Sequence, residues 1–133
     1  MTRQADRHRN TKETRIDLSL DIDGSGQVEV STGLPFFDHM LAQLAKHARF
    51  DLRLECDGDV EIDAHHTVED VGITLGEALG EALGEKEGVR RFAAITVPLD
   101  EAAVEVVLDL SGRPFLHYDV EPPGEKILRE PPF

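Results

Sequence analysis

Residues 63–70 read Asp63-Ala64-His65-His66-Thr67-Val68-Glu69-Asp70, and an apolar helical pattern begins inside them. Val68, Val71, Leu75, Leu79 and Leu83 follow at helical intervals, which predicts a helix from an Asp63 N-cap to about Gly84. Residues four apart lie on one helical face. That places His65 over Glu69, and His66 over Asp70 and beside Glu69. Neutral imidazole with carboxylate suits zinc, manganese or iron(II). The positive end of the helix dipole disfavours imidazolium and favours carboxylate, the state a ligand needs. The plain alternative is a polar first turn of solvated side chains. A doubled pair at a helix start favours metal binding, although the spacing is not that of two His at i and i+4 around a Glu.

Working outward, Phe50-Asp51-Leu52-Arg53-Leu54-Glu55-Cys56 alternates apolar and polar and reads as a strand, punctuated by Asp57-Gly58-Asp59. Before it, Gly33-Leu34-Pro35 opens another helix. Phe37, Leu41, Leu44 and Ala48 form its expected apolar stripe, with Phe36 and Met40 alongside. His39, Gln43 and His47 form a separate polar stripe. His39 and His47 stand roughly 12 Å apart along the axis, too far to share an ion. Further back, Ile16 to Ile22 alternates, Asp23-Gly24-Ser25-Gly26 signals a turn, and Val28-Glu29-Val30 resumes. That pattern predicts a β-hairpin. Residues 1–8 are polar and are expected to be loose.

On the other side, Gly72, Gly76, Gly80 and Gly84 recur every four residues. Each glycine costs a helix about 1 kcal/mol against alanine, so close packing along the stripe is expected. Phe92–Val97 and Ala103–Leu110 read as two more strands around a Pro98–Glu101 turn. Arg90, Arg91 and Arg113 sit at strand ends, where a guanidinium fork can hold phosphate. The tail from Glu121 is rich in proline and has no element of its own.

The composition bounds these readings. With 133 residues, 40% apolar and 31% charged, the chain is long enough for one domain with a core. A formal net charge of -13 argues against nonspecific nucleic-acid binding. A single cysteine, Cys56, forms no internal disulfide. No run is apolar enough to span a bilayer and no signal peptide is apparent, so the expectation is a cytoplasmic protein with neither membrane nor nucleic-acid partner.

Several of these segments together resemble a known family. They are Arg9-Asn10-Thr11-Lys12-Glu13-Thr14, Gly33 through Phe37-Asp38-His39-Met40-Leu41, His47-Ala48-Arg49-Phe50-Asp51-Leu52 and His65-His66-Thr67-Val68-Glu69-Asp70. With Asp100-Glu101-Ala102 and Ser111-Gly112-Arg113-Pro114, they are similar to imidazoleglycerol-phosphate dehydratase of histidine biosynthesis. The resemblance implies an α+β fold: a four-stranded, mostly antiparallel sheet covered on one face by two helices, duplicated in the family. It implies residues 1–8 as a flexible N-terminus, 9–98 as the first half and 99–133 as strands beginning a second. It implies elimination of water from imidazole glycerol phosphate to give imidazole acetol phosphate. Two manganese ions per site, shared between subunits of a homo-oligomer built from trimers, are implied as well.

Carried onto matching positions, the implied metal ligands are His39, His65, His66 and Glu69. The implied substrate contacts are Glu13, His39, His47, His65, His66, Glu69, Arg91 and Arg113, with the arginines on the phosphate. Glu13, His39 and Glu69 are the implied catalytic residues, Glu13 being the candidate base for the carbon-bound proton. That C–H is not acidic, and cations on the deprotonated ring would let electrons pass through it to expel hydroxide. The family has a second His-His-x-x-Glu in its other half, whereas one His-His pair occurs here. An inactive N-terminal fragment that only packs and oligomerises is therefore the second expectation. An unrelated single-metal hydrolase on His65, His66 and Glu69 is the third.

Overall fold

The computed structural model describes residues 2–121. Its centre is the antiparallel pair β2 (Thr14–Asp21) and β4 (Asp51–Gly58), in register with Leu18 opposite Leu54. Strict alternation sends Ile16, Leu18 and Leu20 to one face, joined there by Leu52, Leu54 and Cys56. The other face carries exposed Asp17, Ser19, Arg53 and Glu55. β1 (Gln4–Asn10) flanks β2 antiparallel, and β3 (Val28–Ser31) flanks β4 in parallel, giving the order β1-β2-β4-β3. Helix α1 (Pro35–Ala48) packs over β3 and β4, and helix α2 (His65–Leu83) mainly over β1 and β2. Both helices cover the apolar face, where Leu41, Ala45, Val71, Ala78 and Ala82 join the core. This is the expected α+β half-domain.

Five local expectations are corrected. Residues 1–8 are not a loose N-terminus: Gln4–Asn10 forms an edge strand, with Ala5 buried and alternate polar residues outward. Ile16–Ile22 and Val28–Val30 are both strands but not a hairpin, because β4 lies between them. The connection is held instead by the Asp51 carboxylate, whose Oδ1 accepts the backbone N–H groups of Ser25 (2.8 Å), Gly26 (3.0 Å) and Gln27 (2.8 Å). The buried line of α2 is Thr67, Val71, Thr74, Ala78 and Ala82, with Leu75 and Leu79 beside it. Small residues let the helix lie close on the sheet. The glycine stripe points elsewhere: a Cβ at Gly72, Gly76 or Gly80 would have no atom within 4 Å. In α1, Leu44 and Ala48 are exposed, and Ala45 is buried in their place.

The chain divides after Glu85 into a second unit. There β5 (Phe92–Leu99) pairs antiparallel with β6 (Ala102–Asp109) along their whole length, as a separate two-stranded sheet. A division at 98/99 would have cut this hairpin. Asp100, at φ 50, makes the two-residue turn between the strands. The proline-rich tail lies outside the described residues beyond Glu121. No helix among the described residues is long and apolar enough to cross a membrane.

Candidate active-site elements

The start of α2 is fixed by two close approaches. Asp63 accepts the His65 backbone N–H at 2.8 Å, so it caps the first turn although Ala64 holds the N-cap position. At the end of β4, Gly58 passes against the helix: a Cβ there would fall 2.2 Å from Thr67 Oγ1. Only glycine permits that approach. It brings the next residue, Asp59, to His66.

The two histidines then take different partners. His65 Nε2 lies 3.1 Å from Glu69 Oε2, both well exposed. A nitrogen and a carboxylate oxygen at this separation can share a proton, or serve as adjacent donors to a cation about 2.0–2.2 Å from each. His66 Nδ1 donates to Asp59 Oδ2 at 2.8 Å. The two rings are 5.5 Å apart and steeply inclined, at 69°. The hydrogen bond that His66 donates to Asp59 holds the His66 pKa above its ordinary value, helped by the charges of Asp59, Glu13 and Asp70. The expected effect of the helix dipole on His66 is thus outweighed by a nearby carboxylate.

Asp70 has its carboxylate engaged elsewhere. Its side chain, 13% exposed, turns inward to Thr14 Oγ1 (2.5 Å) and Arg9 Nη2 (3.2 Å). These contacts, with Thr14 first, depress its pKa. They also tie α2 to the turn bearing Glu13. Thr11 shapes that turn by accepting the N–H groups of Glu13 (3.1 Å) and Thr14 (2.9 Å) on its hydroxyl. The Glu13 carbonyl accepts the Asp59 N–H at 3.1 Å. The turn and the Asp57–Glu61 segment line one open cavity of about 460 Å³.

His39 and His47 are exposed on α1. His39 lines a different cavity, with Val30, Gln43 and Lys46. Among the described residues, no three His, Cys, Asp or Glu side chains converge as a metal site. Glu13, His65, His66 and Glu69 are linked around the start of α2 through these contacts, while His39 lines a separate cavity. In the second unit, Arg91 is already engaged, its Nε and Nη2 donating to Asp109 at 2.7 and 3.2 Å. The Arg113 backbone N–H donates to Ser111 Oγ at 3.1 Å.

Asp59 escaped the sequence reading, which took Asp57-Gly58-Asp59 as punctuation. The available signal was a glycine flanked by acids just before the histidine pair.

Residues 32–130 match the sequence profile of the family described as imidazoleglycerol-phosphate dehydratase. Over 127 residues the chain is 54% identical to the imidazoleglycerol-phosphate dehydratase of Pelobacter propionicus and 58% identical to that of Acetivibrio thermocellus. Each alignment covers 96% of this chain and 65% of the relative, so the chain spans just under two thirds of their length. The crystal structure of the enzyme from Staphylococcus aureus superposes with a TM-score of 0.81 at 31% identity, covering 93% of this chain and 67% of that one. The Pyrococcus furiosus enzyme, in complex with (S)-C348, gives 0.70 at 37%, covering 86% and 60%.

Proposed function

The chain belongs to the imidazoleglycerol-phosphate dehydratase family, and from that membership we propose that it carries one half of a dehydratase site for imidazole glycerol phosphate. The observation supporting this reading is the His65–Glu69 pair beside the His66–Asp59 pair, next to the turn that bears Glu13. Glu13 takes the carbon-bound proton as general base, hydroxide departs from the neighbouring carbon, and the two losses together are one water. His65, His66 and Glu69 offer nitrogen and oxygen donors for manganese, with His39 as a further donor. Bound manganese supplies Lewis acidity at the substrate's ring. The donors from this chain are an incomplete set, and the rest come from a second half and from neighbouring subunits of a trimer-based homo-oligomer. Arg91 and Arg113 hold the phosphate, and Arg91 then exchanges or shares its Asp109 partner.

A second reading, a non-catalytic half that packs and oligomerises, draws support from the chain's spanning 65% of the length of the relatives it matches. Manganese titration with metal analysis, alongside an assay for imidazole acetol phosphate with and without the C-terminal half of a full-length relative added in trans, separates the two. The dehydratase reading expects His65→Ala and Glu69→Ala each to lower manganese content sharply, and turnover to appear when both halves are present. Unchanged metal content in both variants, or no turnover from the combined halves, overturns it.

A further inference from the structure

We propose that Asp59 is a positioning residue: its carboxylate fixes the tautomer of His66, and its backbone ties that histidine to Glu13. An ionised carboxylate only accepts hydrogen bonds. With Asp59 Oδ2 at 2.8 Å from Nδ1, the hydrogen of neutral His66 must sit on Nδ1. The lone pair is then on Nε2, which has no hydrogen-bond partner among the described residues. A histidine that binds a metal through one nitrogen characteristically donates from the other to a carboxylate, which orients the ring and fixes the tautomer.

Three features show that the placement of Asp59 is built in rather than incidental. Its side chain is 15% exposed while the His66 side chain is 42% exposed, so the carboxylate sits behind the ring and the ring faces out. Its other oxygen, Oδ1, is buried with no partner among the described residues, leaving His66 as the hydrogen-bond partner of this carboxylate. The approach exists only because Gly58 lets the end of β4 pass against Thr67. The Asp59 N–H, bonded to the Glu13 carbonyl at 3.1 Å, sets the base-bearing turn by the same residue. Sequence distance had separated Glu13 from His66, and one residue bridges them.

The role in catalysis rests on the proposed dehydratase reading, but the tautomer does not, so the two fail separately. Long-range proton–nitrogen NMR on the metal-free full chain, taken above the pH at which His66 finishes titrating, reads the tautomer directly. The expected result is a dominant Nδ1–H form in the wild type and, in Asp59→Ala, a shift of the ratio toward Nε2–H by at least about fivefold. A merely structural Asp59 would leave that ratio unmoved. Circular dichroism checks that the variant folds, and if it does not, the wild-type tautomer decides alone. A dominant Nε2–H form in the wild type, or an unchanged ratio in a folded variant, overturns the proposal.

Discussion

The sheet β1-β2-β4-β3 and the hairpin β5–β6 are built from similar material, and only the first has an inside. β2, β4, β5 and β6 each contain eight residues with repeated aliphatic positions. In β2 and β4 the apolar positions are covered by two helices, and Leu54 is completely buried. In β5 and β6 every residue is exposed, Val107 at 70%. A strand pattern records that one face is apolar. Burial depends on which other element comes to lie against it, and in this chain the helices cover the first sheet. The largest expected effect tests this contrast. Leu54→Ala should cost about 2–5 kcal/mol, because it removes buried methyl groups and leaves a cavity. Val107→Ala should stay within about 0.5 kcal/mol. Urea denaturation of both variants measures the difference, and comparable losses would mean that the hairpin is covered in solution.

The same contrast explains what was legible in the sequence. Alternation at Ile16–Ile22 and Leu52–Cys56 gave the strands and their inward residues, because a period of two needs no knowledge of neighbours. Pairing was not legible there. The turn signal at Asp23–Gly26 fits a hairpin, and nothing local says that Asp51, far along the chain, will hold that turn while β4 enters between the strands. The helical stripes were displaced for a related reason. In α2 the large residues Leu75 and Leu79 drew the reading, whereas close contact with the sheet selected Thr74, Ala78 and Ala82. At the site, His65 over Glu69 followed from helical spacing. Asp59 behind His66 depends on a glycine contact between two elements, which no spacing reveals.

Two Arg–Asp pairs extend the comparison to polar groups. Arg9–Asp70 lies between β1 and α2 with the carboxylate 13% exposed, whereas Arg91–Asp109 spans the hairpin with both side chains near half exposure. Asp70→Ala strands Arg9 and Thr14 under the helix, and should cost about 1–3 kcal/mol. Asp109→Ala leaves a solvated arginine and should cost less, since exposed ion pairs are screened and poorly ordered. Chemical denaturation of the two variants ranks them. A larger loss for Asp109→Ala would show that the hairpin pair is sheltered by something outside this chain.

The covering helix has its own uncovered side, where the glycines lie. Gly76→Ala meets open space and should stabilise the chain by up to about 1 kcal/mol through helix propensity. Gly58→Ala, with Thr67 Oγ1 in the way, should destabilise and should also separate Asp59 from His66. Thermal melts of both variants sharpen the distinction between glycines that admit a neighbour and glycines that do not. A destabilising Gly76→Ala would mean that a partner packs closely on that stripe in solution.

The smallest expected effect is confined to one connection and is read through pH. The β5–β6 turn closes within two residues by its own backbone, but the β2–β3 connection depends on a carboxylate. Three backbone N–H groups converge on Asp51, Gln27 foremost, and they favour its charged form, so its pKa lies below the ordinary value of 3.8. The sign follows from that direction. A carboxyl whose folded pKa is depressed contributes stability that is fully present above its unfolded value and disappears as pH falls through the folded one. Amide protection at Ser25, Gly26 and Gln27, corrected for intrinsic exchange, should therefore be constant at neutral pH and fall below about pH 4. Asp51→Asn keeps an acceptor of the same shape but removes the charge. In that variant, protection at these three amides should start lower and lose its acid step, while exchange across the β5–β6 turn stays unchanged. Hydrogen exchange by NMR at a series of pH values resolves each amide separately. An acid step that persists in Asp51→Asn would assign the titration to another group and leave the Asp51 contacts as ordinary neutral hydrogen bonds.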